Sequence, residues 1–175
     1  MDYSYYYDAA RNALDMHKRL ISEESLRWLR ELPYRVDIEE HGVCFCHGSP
    51  VNLEDFEYVF AVEQAQGLIY HWDELANVTF IGHSHLTKTF ALSRSGAEEI
   101  VGDAFIVEPD KKYIVTVGSV GQPRDYDARS CCGVFDTETR RFEFHRVPYE
   151  VDRAAERILR RGLAHSFAKR LFLGV

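Results

Sequence analysis

Apolar and polar positions along this chain repeat with two different periods, and the period changes where the elements change. From Met1 to Lys18, Ala10, Ala13, Leu14 and Met16 recur at helical spacing behind a tyrosine cluster of Tyr3, Tyr5, Tyr6 and Tyr7. Those aromatics either pack on a neighbouring element or form a covering or association patch. A second helix follows. Ser22 is placed to cap it, Glu23 and Glu24 suit the positive end of its dipole, Leu26, Leu29 and Leu32 share a face, and Pro33 stops it. At Tyr34 the period drops to two. Val36 and Ile38 alternate with Arg35 and Asp37, which predicts a half-buried strand to Glu39 turned by Glu40-His41-Gly42. Val43–Cys46 has no alternation, as expected of a strand covered on both faces, and Val78–Ile81 is a second short apolar run. Between them lie an acidic and aromatic connector, 52–60, and a helical pattern from Ala61 to Leu75 weakened by Gly67.

The second half of the chain is strand-rich. Thr87–Leu92, Ile100–Val107 and Tyr113–Val117 read as strands, separated by turn residues at Ser93–Gly96 and Pro109-Asp110. Ser130–Asp136 and Arg141–Val147 form a predicted hairpin through 137–139, and helices over Val151–Arg161 and His165–Leu173 end the chain. No repeat, low-complexity tract or internal boundary interrupts it, so residues 1–175 are expected to form a single domain. A chain of this length buries roughly two thirds of its unfolded surface, enough for a core.

Composition narrows the function classes. Hydrophobic content of 46% and charged content of 28% are those of an ordinary globular protein. No apolar run approaches the roughly 20 residues of a membrane span, and the first residues lack a signal peptide's basic and hydrophobic regions. The expectation is a cytoplasmic protein without a membrane partner. A net charge of −7 and a pI near 5.6 argue against nucleic acid as a partner, because binding it requires a basic footprint. Cys44, Cys46, Cys131 and Cys132 sit in strand-like runs without the usual C-x2-C spacing, which favours buried thiols over a zinc cluster.

The chemistry concentrates where apolar runs end. His83 and His85 follow Val78–Ile81 and Gly82; on an extended segment, residues two apart point the same way, so both imidazoles would present to one place. Either residue read alone is also a hydrogen-bonded or solvated histidine. The run Val43–Cys46 likewise ends in His47-Gly48-Ser49-Pro50, and Tyr113–Val117 ends in the glycine-rich Gly118-Ser119-Val120-Gly121-Gln122-Pro123-Arg124-Asp125. The amides of that last loop and Arg124 would suit an anionic substrate; the plainer reading is a connecting loop with Arg124 paired to Asp125 or Asp127.

In this order and spacing, HGSP, GHSH and GSVGQPRD resemble the calcineurin-like metallophosphoesterase superfamily, in its small bacterial and archaeal phosphoesterase branch. The resemblance runs from about Ser22 to the C-terminus. It implies an α/β fold of two packed mixed β-sheets flanked by helices, an α-β-β-α sandwich of which this chain holds the later part. It also implies that His47 and His83 bind one divalent metal (manganese, zinc or iron) and His85 a second, that Gly118, Ser119 and Arg124 meet the substrate, and that the substrate is a small phosphorylated molecule. The family's Asp-x-His, Gly-Asp and Gly-Asn-His motifs, which supply the bridging aspartate and the general acid, do not precede His47. Two dications roughly 3.7 Å apart repel by about 18 kcal/mol at an effective dielectric of about 20, and three neutral imidazoles do not offset that. One ion or none is therefore expected here, with weak or no phosphoesterase activity unless Asp55, Asp125, Asp127 or another chain supplies carboxylate. The alternatives are a noncatalytic binding or assembly module and a mononuclear metal protein. Exposed sheet edges leave a homo-oligomer open, as well as a partner chain carrying the absent motifs.

Overall fold

A computed structural model describes residues 7–175; Tyr3, Tyr5 and Tyr6 of the tyrosine cluster lie outside the described residues. In chain order the elements are α1 (Asp8–Leu20), α2 (Glu23–Glu31), β1 (Arg35–Ile38), β2 (Val43–Cys46), α3 (Val62–Gly67), β3 (Val78–Ile81), β4 (Thr87–Ser93), β5 (Gly96–Ile100), β6 (Ala104–Ile106), β7 (Lys112–Val117), β8 (Ser130–Asp136), β9 (Arg141–Val147), α4 (Val151–Arg160) and α5 (His165–Leu173). They divide into two compact units. Of the described residues, one unit comprises 7–33 and 150–172; the other comprises 34–149 and 173–175 and holds every strand among them.

In the helical unit, Ser22 caps α2 as its sequence predicts, its side chain accepting a hydrogen bond from the Ser25 amide. Tyr7 lies edge-on to Phe167 with ring centroids 6.4 Å apart, so this tyrosine packs against a neighbouring helix.

The strand unit contains a six-stranded sheet ordered β1-β2-β3-β7-β4-β5 and a three-stranded antiparallel sheet ordered β6-β9-β8. Alternate residues of the large sheet feed two cores. Val43, Val78, Phe80, Tyr113 and Val115 meet Phe105 and Phe142 of the small sheet, whereas Ile81, Phe90, Leu92 and Ile114 pack with Ala65 of α3 and Leu68. Burial on both sides is why β3 and β7 read as unbroken apolar runs. The fold class is the expected one: mixed α/β, with two packed sheets and flanking helix.

Three local expectations change. The helix of 61–75 is a short α3 followed by a 3-10 stretch, Leu68–Glu74, broken at Gly67 where helix propensity is lowest. Ile100–Val107 is two strands in different sheets, because Val101–Asp103 with Gly102 at φ 137° turns the chain from one layer to the other. And β1 is not half-buried: it is the edge of the large sheet, with Val36 47% exposed.

Candidate functional site

Strand register builds the site. Parallel pairing sets Cys46 beside Ile81 and Ile81 beside Thr116, so β2, β3 and β7 release the chain level with one another at one end of the sheet. His47 follows β2, His83 and His85 follow β3, and Gly118 follows β7. His47 Nε2 and His83 Nδ1 lie 3.1 Å apart. The Gly82 amide donates to the His47 carbonyl at 2.9 Å, tying the two strand ends together.

His83 and His85 are turned toward the end of the sheet for a reason other than strand alternation. β3 ends at Ile81, and His83 and His85 both take left-handed backbone, φ 62° and 61°. Gly82, the glycine between the strand and the histidines, has no such torsion; a Cβ there would meet nothing closer than 3.7 Å. Histidine tolerates this region better than most side chains, yet each such residue stores roughly 1 kcal/mol or more that the surroundings must hold. For His85 the holding contacts are explicit. Its carbonyl accepts from the Arg124 amide at 3.1 Å, and its ring Nδ1 lies 2.7 Å from the Gln122 carbonyl. A carbonyl can only accept, so Nδ1 carries the proton and Nε2 keeps its lone pair.

Burial lowers the pKa of His83, and the charges of His47, His85 and Arg124 lower it further. Burial also lowers that of His85; its bond to Gln122 opposes this, while Arg124 and His47 add to it. Both imidazoles are therefore held toward the neutral, ligand-competent form. Tyr58 stacks on His83 with centroids 4.1 Å apart, and Phe56 stands edge-on to His47 at 5.7 Å. Sequence reasoning missed these two aromatics, although their spacing two apart just beyond HGSP is the signal of a shared face.

The loop after β7 is arranged differently from its sequence reading. The amides of Gly118, Gly121, Gln122 and Arg124 are spent internally: on Leu86 O, on Ser119 Oγ twice, and on His85 O. Ser119 Oγ thus accepts two amides and keeps its own proton to donate. Asp125 pairs with Arg146 and Asp127 with Arg129, so neither neutralises Arg124. Arg124 enters no ion pair among the described residues, and its cationic head lies close enough to lower the pKa of both His83 and His85. Asp125 and Asp127 are likewise committed to arginines rather than aimed at an ion.

His47, His83, His85 and Ser119 line one end of a cavity of about 700 Å³ whose other walls are largely apolar, Phe45, Phe80 and Phe135 among them. Cys44 and Cys131 are buried thiols, Cys46 is half-buried and Cys132 exposed.

The donor set decides how much metal these residues suit. At 3.1 Å the two ring nitrogens are within hydrogen-bond distance of each other; the same spacing suits two ligands of one ion bound at about 2.1 Å and near a right angle, narrower than the tetrahedral angle of structural zinc sites. His85, with Nδ1–H on a backbone carbonyl and Nε2 bare, has the outer hydrogen bond that metal-bound histidines carry. By spacing, His47 and His83 suit two positions on a single ion, and the bare Nε2 of His85 is chemically suited to a third, but among the described residues no three His, Cys, Asp or Glu side chains are placed to hold a metal ion. No carboxylate joins the histidines, so the donor set does not suit two ions. Nor, among those residues, is any helix long and apolar enough to cross a membrane.

No family model matches the sequence. An uncharacterized protein of Methanocaldococcus jannaschii is 32% identical over 176 residues, an alignment covering 99% of this chain and 69% of that protein. The crystal structure of a metallophosphoesterase from Sphaerobacter thermophilus superposes with a TM-score of 0.80 at 25% identity, covering 100% of this chain and 71% of that one. A hypothetical protein of Pyrococcus horikoshii shares the fold with a TM-score of 0.74 at 19% identity, matching 98% of this chain and 62% of its own length.

Proposed function

We propose that this chain, which has the fold of a metallophosphoesterase, acts on small phosphorylated molecules in phosphomonoester or phosphodiester hydrolysis. In this reading His47, His83 and His85 hold one divalent ion, manganese, zinc or iron. Arg124 and the Ser119 hydroxyl meet the phosphate beside Gly118. The observation that supports it most is the 3.1 Å approach of His47 Nε2 to His83 Nδ1 at the ends of two adjacent parallel strands.

In this family a divalent ion supplies Lewis acidity toward a phosphoryl oxygen. The protein's own contribution is positional and electrostatic. Depressed pKa values keep His83 and His85 neutral near pH 7, and Arg124 offers a planar fork to phosphate oxygens without a carboxylate competing for it. Ser119 Oγ, already an acceptor for two amides, has only its proton left to give.

The lack of carboxylate among the donors favours a second outcome, a mononuclear metal protein or a noncatalytic binding module with little turnover. Elemental analysis of the purified chain, paired with hydrolysis of a chromogenic bis-aryl phosphate diester in added manganese, tests both. The expected result is at most one ion per chain and slow or undetectable hydrolysis, raised by a partner chain that brings carboxylates. Near two ions per chain with rapid turnover would overturn the single-ion reading; no ion at all would leave only the binding module.

A further inference from the structure

The loop that holds His85 is itself held by a buried polar cluster that the metal ligands and substrate contacts do not include. Arg146, on β9 of the small sheet, reaches the loop after β7. Its Nη1 lies 3.2 Å from Asp125 Oδ1, and its Nη2 donates to Asp125 Oδ2 and, at 2.7 Å, to Thr87 Oγ1. The Thr87 hydroxyl in turn donates to Asp125 Oδ2 at 2.6 Å, which closes a three-residue ring. The Arg146 and Asp125 side chains are only 16% and 14% exposed. Burial raises the pKa of Asp125, but the bonds from Arg146 and Thr87 and the arginine's charge together outweigh it and leave the carboxyl ionised.

This cluster is not needed to close either core, and an ion pair taken out of water is a weak source of stability. Its geometric consequence is specific. Asp125 follows Arg124, whose amide holds the His85 carbonyl, and lies three residues after Gln122, whose carbonyl holds the His85 ring. The Gln122 side chain is fixed from the other side by the Val175 carbonyl at 3.1 Å. The backbone between Gln122 and Asp125 is thus pinned at both ends, with His85 clasped in the middle.

We infer that Asp125 and Arg146 are positioning residues that keep the Gln122 carbonyl against His85 Nδ1, and so lock His85 in its Nδ1–H tautomer with Nε2 bare. This rests on the reading of His85 as a metal ligand. The consequence for the site is that the lone pair on His85 is aimed before any ion arrives. An untethered histidine favours the opposite tautomer, with Nε2 protonated and unable to bind.

The test is long-range 1H–15N correlation of the histidine rings in the full 15N-labelled chain without metal, the His85 signals being assigned by their loss in His85→Gln. The wild type is expected to show a protonated Nδ1 and a bare, pyridine-type Nε2 at His85. Asp125→Asn is expected to shift His85 toward the Nε2–H tautomer while the other ring patterns and the backbone amide dispersion persist. It should also weaken zinc binding about tenfold, as loss of an outer-shell partner does. Should Asp125→Asn fail to fold, Arg146→Lys, which keeps the buried cation but removes the fork, decides by the same signals. An Nε2–H His85 in the wild type, or an unchanged Nδ1–H pattern in the folded variant, overturns the inference. Zinc titration of the wild type is a separate arm: if the His47, His83 and His85 signals do not respond to zinc, the metal-site reading fails while the tautomer result still stands or falls alone.

Discussion

Gly118 and His85 meet the same backbone demand with opposite side chains. Gly118 sits at φ 77°, and a Cβ there would come within 2.8 Å of Cys131 Cβ and 2.9 Å of Thr87 Cγ2. Both the torsion and the space require glycine. Gly118→Ala is therefore expected to cost roughly 1–3 kcal/mol, seen as a lower denaturant midpoint at unchanged slope. His85 accepts the left-handed torsion without being glycine because its ring and carbonyl are both bonded to the loop. At this scale the sequence was half legible. The positions of His47, His83 and His85 just after strands were legible from the apolar runs before them, and that of Gly118 from its glycine-rich loop. Nothing in a histidine's neighbours along the chain signals a left-handed backbone, since the bonds that permit it come from residues near Gln122, nearly forty positions later.

Among the elements, the strands were legible from period and the partners were not. β3 and β7 were visible as apolar runs because both their faces are covered, and their parallel pairing is what delivers His47, His83 and Gly118 to one end of the sheet. β1 was misjudged because alternation reports which residues share a face, not whether that face is covered. The same limit hides Thr79 and Thr89, read as strand residues and found fully buried with hydroxyls that have no hydrogen-bond partner among the described residues. Thr79 stands beside Ile81 on the face packed by α3, where a methyl would serve better than an unpaired hydroxyl. Thr79→Val is expected to raise stability by about 1 kcal/mol, measured by chemical denaturation, because it removes a desolvated donor at nearly constant volume. A destabilised variant would mean that this hydroxyl has a partner in solution.

At the scale of the whole molecule, the strand unit has more apolar surface than its own residues cover. Along the β1 edge and its neighbour, Tyr34, Val36 and Phe45 are 52%, 47% and 43% exposed, and Ile38 lines the same cavity that ends at the histidines. Among the described residues β1 is also an edge without a further strand beside it, next to Arg35 and Asp37, which are bonded to each other. Short length and a charged pair blunt such an edge, but the adjoining apolar residues favour strand addition. The chain is therefore expected to self-associate as its concentration rises, through β1. Sedimentation velocity over a range of concentrations should show a rising sedimentation coefficient in the wild type and a constant, monomeric one for Val36→Lys, because a lysine on the outer face of an edge strand must be desolvated by any incoming strand. A single concentration-independent species in the wild type would rule the edge out as an association surface. Equal association in Val36→Lys would move the contact to another part of the chain. The metal analysis discriminates further: if association through β1 is accompanied by a second ion per chain, the neighbouring copy is supplying the carboxylates that His47, His83 and His85 lack.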